Sequence, residues 1–232
     1  MPDILSKARL GLASPTLHPG DHLDQRTFHE LYAAMPAGFR AELVEGVVMI
    51  PFSVSVEHGG DHSLIGTWLS LYSFSTPGTR AVLDTTFILG PKDAPQPDAA
   101  LIVLPEYGGQ TRREGQFAAG APEFVAEVAY TTFAYDRHSK MRAYEAAGVR
   151  EYLILNLGAK QVEWFVLRDA TFATLQASED GLFRSETFPG LWRDTTTLIA
   201  RDGKAVVRAL QGGLATPEHA AFAAELVARM RD

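Results

Sequence analysis

The chain has 232 residues, 46% hydrophobic and 21% charged, enough for one sizeable core or for a domain with a short appendage. A formal net charge of −7 and an isoelectric point near 5.5 argue against a protein that coats nucleic acid nonspecifically, because phosphate contacts need clustered lysine and arginine. The lack of cysteine excludes disulfides, thiolate zinc and a thiol nucleophile; with no membrane-length apolar run and no export signal, a cytoplasmic protein without a membrane partner is expected.

In chain order, Asp24 reads as the cap of a short helix with Phe28, Leu31 and Tyr32 on its apolar stripe, ending by Pro36. Two strands are expected at 41–45 and 47–50, turning at Gly46. Leu64, Ile65, Trp68, Leu69 and Tyr72 recur at helical spacing and predict a core-facing helix over 59–74, ended by Pro77-Gly78. Strands at 80–83 and 86–89 precede a segment, 90–97, whose prolines bar it from a sheet interior. Asp98 then opens the apolar run 99–104, and Glu127 lies inside a second run, 124–129. The polar connection 106–120 reads as a mobile loop. A helix over 136–147 stops at Gly148, and strands follow at 152–155, 161–167 and 171–175, the last two forming a hairpin around 168–170. Thr216-Pro217-Glu218 starts a final helix carrying Phe222, Leu226 and Met230, which could pack on its own domain or on a second copy. The sum is an α/β (α+β) fold, a central mixed sheet flanked by helices, with a main domain over 1–190 and a C-terminal helical extension over 191–232.

The chemistry concentrates in the two acidic strands. A carboxylate inside a buried strand is costly unless it is paired, hydrogen-bonded or bound to metal. Alternation puts Asp98, Ala100 and Ile102 on one face, and Val125, Glu127 and Ala129 on one face of the other strand. In neighbouring strands of suitable register the two carboxylates would meet, roughly 4–6 Å apart, and could share one hard cation such as Mg²⁺. Lys140 follows Asp136 by one helical turn and could orient water or steady developing charge. Spacing alone equally permits an Asp98 that merely begins a strand and a Glu127 ion-paired with Lys140.

His58 and His62 are also one helical turn apart, but Gly59 stands where a metalloprotease signature carries glutamate. They are expected to line the pocket or bind phosphate rather than hold zinc. His18, His22, His29, His138 and His219 read as surface or packing residues. Glu42 and Glu45 are three apart in a strand-turn, so at most one of them faces the site. Trp164, Phe165 and Trp192 sit at core-like spacing.

Taken together and in order, Glu42-Leu43-Val44-Glu45-Gly46, His62-x-x-Ile65-x-x-x-Leu69, Pro97-Asp98, Pro122-Glu123-Phe124-Val125-Ala126-Glu127-Val128 and Asp136-x-x-x-Lys140-x-x-x-Tyr144-x-x-x-Gly148-Val149-x-Glu151-Tyr152 resemble the Uma-type restriction endonuclease family, a branch of the PD-(D/E)XK nuclease superfamily. The resemblance spans about residues 20–170. It implies a restriction-endonuclease-like fold and Mg²⁺-dependent (or Mn²⁺-dependent) hydrolysis of nucleic acid, DNA above all. Asp98 and Glu127 would be metal ligands and Lys140 the catalytic lysine, supported by Glu42, His62, Asp136 and Tyr144. Cutting both strands of a duplex further suggests a homodimer. One departure stands out: the superfamily places lysine two residues after the second acid, where this chain has Ala129. Lys140 would have to reach back from the next helix. Failing that, the expectation is a catalytically inactive nucleic-acid-binding or protein-interaction module.

Overall fold

The computed structural model describes residues 16–51, 55–130, 132–194 and 196–230. At its centre is a six-stranded sheet, ordered β11-β10-β9-β8-β5-β3. Its strands are β3 (Thr79–Leu83), β5 (Ala99–Val103), β8 (Phe124–Ala129), β9 (Glu151–Asn156), β10 (Gln161–Arg168) and β11 (Thr171–Thr174). β8 and β9 run parallel and every other neighbouring pair antiparallel, so the sheet is mixed, as expected. β5, β8 and β9 are buried on both faces, which explains their uninterrupted apolar runs.

Alternation divides those strands between two cores. Ala99, Leu101, Phe124, Ala126, Leu153 and Trp164 face helix α2 (Val56–Ser75), packing on Ile65, Trp68, Leu69 and Tyr72. Trp68, Phe124 and Trp164 meet edge to face, with centroids 5.4–5.9 Å apart. On the other face Val125, Ala129, Tyr152, Ile154 and Phe165 pack with Tyr144 of α3 (Met141–Ala147). α3 is entered through a helical turn, Phe133–Tyr135, and a π-helical turn, Asp136–Lys140. The helix expected over 136–147 therefore begins earlier and contains an inserted wide turn.

Helix α1 (Gln25–Tyr32) starts where predicted: the Asp24 carboxylate accepts from the Thr27 N–H at 2.7 Å. β1 (Glu42–Val44) and β2 (Val47–Met49) form a hairpin whose two-residue turn, Glu45-Gly46, has positive φ at both positions, a type I′ turn. Asp169 and Ala170 join β10 to β11 in the same way. The connection 106–120 departs from expectation. It holds β6 (Arg112–Glu114) and β7 (Phe117–Ala119), and β7 pairs in parallel with β4 (Phe87–Ile88), giving that short strand a partner.

The C-terminal third contains more than the predicted final helix. β12 (Leu182–Arg184) and β13 (Trp192–Asp194) form a hairpin spanning residue 190, followed by α4 (Gly203–Leu214) and α5 (Pro217–Arg229). Leu191, Leu198, Val206, Leu210 and Leu226 join the α2-side core. Thr216 caps α5 as expected, whereas Met230 is exposed. Among the described residues no helix is long and apolar enough to cross a membrane.

One buried group in this segment is unpaired. Arg193 is fully buried 5.7 Å from the Trp68 ring, and its three guanidinium nitrogens lack a hydrogen-bond partner among the described residues. Burial pulls its pKa down to about 9. Arg193→Met keeps the volume and removes the stranded charge. It should raise the unfolding free energy by about 1–3 kcal/mol, read from urea denaturation at neutral pH.

Candidate active site

The register of β5 on β8 pairs Ala99 with Ala126. Carried one residue further, it puts Asp98 opposite Glu127 on the α3 side of the sheet, where opposed β-carbons stand about 4.5–5.5 Å apart. The Asp98 carboxylate accepts the Val128 N–H through Oδ2 at 2.7 Å. Glu127 accepts through Oε1 alone, from Lys140 Nζ and from the Tyr144 hydroxyl, each at 2.9 Å. Among the described residues Asp98 Oδ1 and Glu127 Oε2 receive no hydrogen bond. Each carboxylate thus keeps one open oxygen.

Lys140 crosses from the π-helical turn into this cluster. Its ammonium lies 2.9 Å from Glu127, 3.1 Å from Glu42 and 3.7 Å from Asp136, with its side chain only 6% exposed. Glu42 comes from the β1 hairpin and is further tied by the Gln96 N–H at 3.1 Å. Glu45, in the turn after β1, points elsewhere and pairs through both oxygens with Arg142 at 2.8 Å. Asp136 is held by its backbone, whose carbonyl accepts from the Tyr152 hydroxyl at 3.0 Å.

Glu42, Glu127 and Asp136 therefore surround one ammonium, and Asp98 lines the same cavity of about 700 Å³. Burial raises the pKa of Glu127 well above its ordinary value, and repulsion from Asp136, Asp98 and Glu42 adds to this against the pull of Lys140. Asp136 is shifted up for the same leading reason. Lys140 resists desolvation because three acids face it, so it is held protonated far above its usual range. Hard oxygen donors in excess over local positive charge suit a divalent cation, and the open oxygens of Asp98 and Glu127 are two that could hold one.

Of the two histidines, His58 lines this cavity and His62 stands beside Asp98. His58 Nε2 donates to the carbonyl of Val128 at 2.9 Å, and His62 Nε2 to the carbonyl of Asp98 at 2.7 Å. Three groups in the site had not stood out in the sequence. Asp84, in the left-handed turn after β3 at φ 48°, pairs with Arg40 at 2.9 Å. Atoms of Asp84, Asp98 and His62 lie within 4.8 Å of one another. Tyr135 puts its ring 5.8 Å from Lys140 Nζ, and its hydroxyl has no partner among the described residues. Asp84 at a strand end and Tyr135 beside Asp136 were legible signals only once the pocket was known.

The sequence model of the Uma2 family, described as "Putative restriction endonuclease", matches residues 26–198. The chain belongs to the Uma2 family. A solved structure described as "a putative nuclease belonging to DUF820", from Anabaena variabilis, superposes with a TM-score of 0.52 at 13% identity, covering 80% of this chain and 97% of that one. At that identity the likeness establishes the restriction-endonuclease-like fold. No curated protein matches the Uma2 chain in sequence.

The raised pKa of Glu127 fixes a pH dependence. The folded form binds its proton more tightly than the unfolded chain, whose glutamates titrate near 4.5. Stability present below that pH is therefore lost as pH rises through the higher folded value. In chelator, Glu127→Gln should gain stability relative to wild type as pH goes from 4.5 to 8, measured by thermal melting at both ends.

Proposed function

We propose that this Uma2 protein is a divalent-metal-dependent nuclease that hydrolyses phosphodiester bonds in DNA. The observation that carries the reading is the pair of opposed carboxylates, Asp98 and Glu127, each with one uncommitted oxygen and with a buried lysine on the committed side of Glu127. Asp98 and Glu127 would hold Mg²⁺ or Mn²⁺, which when bound supplies Lewis acidity to a phosphate and makes water easier to deprotonate. Lys140 has two strong acceptors in Glu127 and Glu42. Its third hydrogen meets Asp136 only at 3.7 Å, and is the one available to an attacking water or a phosphate oxygen. Glu42, Asp136 and Tyr144 keep the lysine and Glu127 in register, and His58 and His62 meet the incoming strand.

Lysine two residues after Glu127 is replaced by Ala129, which would have favoured an inactive nucleic-acid-binding module. The 2.9 Å contact of Lys140 with Glu127 supports the enzyme instead, since the ammonium stands beside the same carboxylate. Cleavage of both strands of a duplex would be accomplished most simply by two copies about a two-fold axis.

The test is cleavage of plasmid and single-stranded DNA with Mg²⁺, with Mn²⁺ and with chelator. Asp98→Asn should reduce cleavage to the chelator background while leaving the circular dichroism spectrum intact. Lys140→Gln should slow cleavage by about 10²–10³. It should also cost about 3–5 kcal/mol of stability, because the acids it leaves are buried. Equal cleavage by wild type and both variants would assign the activity to a contaminant, and DNA binding without cleavage would return the protein to the inactive class.

A further inference from the structure

The first two turns of α2 carry His58 and His62, yet they are built from a weak sequence. Gly59 and Gly60 sit between His58 and Asp61, and each glycine in a helix costs about 1 kcal/mol relative to alanine. Neither is needed for space: a β-carbon at either position would meet nothing within 4 Å. A turn this weak, capped only by Ser55, holds its shape through tertiary anchors.

The strongest anchor comes from far along the chain. Asp61 is 1% exposed, and Arg201 clamps both of its oxygens, Nε at 2.9 Å and Nη2 at 2.8 Å. A bidentate pair of this kind fixes direction as well as distance. Arg201 is itself presented from a rigid platform. Its N–H donates to the carbonyl of the buried Leu198, and the next residue, Asp202, caps α4 by accepting from Ala205 N–H. Arg201 holds φ 54°, a left-handed conformation that a non-glycine residue keeps only where surrounding contacts enforce it.

The clamp connects to the acids through backbone. Asp61 lies between His58, bonded to the carbonyl of Val128, and His62, bonded to the carbonyl of Asp98. Val128 N–H in turn donates to Asp98 Oδ2. One short circuit thus runs from Arg201 through the α2 turn to the two residues that set the spacing of Asp98 and Glu127.

We propose that Arg201, which lies beyond the segment matched by the Uma2 family, is a positioning residue for the acidic pocket. By gripping Asp61 it fixes the glycine-weakened turn whose histidines hold the carbonyls of Asp98 and Val128. The inference rests on the metal-dependent reading for its consequence, cation affinity, but the positioning itself is measurable without metal.

The experiment uses the full chain and three forms: wild type, Arg201→Gly, and Arg201→Gly combined with Gly59→Ala and Gly60→Ala. Glycine at 201 removes the guanidinium while relieving the left-handed backbone, so strain does not confuse the result. Two readouts are taken, amide hydrogen exchange over 56–62 and at Val128 in chelator, and Mn²⁺ affinity by calorimetry. Arg201→Gly should speed exchange at both places and weaken Mn²⁺ binding by about 10-fold, the low end for a group acting through outer-shell contacts. The two alanines should restore both by stiffening the turn, a rescue that a merely stabilising surface pair would not produce. Unchanged exchange, or faster exchange with unchanged Mn²⁺ affinity, overturns the clamp alone. A wild type that takes up no Mn²⁺ overturns the metal-dependent reading and the clamp's part in it.

Discussion

Everything at the site depends on one buried ammonium. Lys140 is removed from water, which alone would favour its neutral form, and Glu127, Glu42 and Asp136 keep it charged. None of these acids could be buried without the lysine, and the lysine could not be buried without them. They come from the β1 hairpin, β8 and the π-helical turn. The pair energies thus couple three elements, one of which, the β1 hairpin, lies outside the central sheet. The balance is incomplete, since three carboxyls face one ammonium and Asp98 lines the same cavity, which is the charge pattern behind the proposed cation site.

The position of the lysine shows how a fold can supply a group its strand lacks. The strand offers Ala129, fully buried in the apolar core on the α3 side. The ammonium arrives instead from a helix on the same face of the sheet. The π-helical turn over Asp136–Lys140 widens the helix at that point and aims Asp136 and Lys140 inward together. Tyr144, one turn later, donates to the oxygen of Glu127 that Lys140 also holds, and so leaves the other oxygen open.

The C-terminal segment is part of the same core rather than an appendage lying on it, for its leucines fill the α2 side of the sheet. Trp68 Nε1 donates to the carbonyl of Trp192, and Tyr72 hydroxyl to that of Pro189, so α2 is fastened along its length by residues far away in sequence. Long-range fastening of this kind allows the helix bearing His58 and His62 to begin with two glycines.

Much of this was legible beforehand, for physical reasons that can be named. A carboxylate set in a buried apolar strand must be compensated, so Asp98 and Glu127 announced themselves, and the spacing of Glu42 and Glu45 already allowed only one of them at the site. Strong helix caps at Asp24 and Thr216 marked starts correctly because capping is a local hydrogen bond. The hairpin β6–β7, the β12–β13 pair and α4 were not read. Short strands are made by partners distant in sequence, and their own residues carry little periodicity. By itself, then, the sequence determined the alternation, the caps, the places of the two hairpin turns and the presence of costly buried charge. Only the tertiary structure decided that Asp98 stands across from Glu127, that Lys140 stands beside Glu127, and that Arg201 reaches back to Asp61. Register and side-chain convergence depend on packing energies summed over the whole chain, which no local window contains.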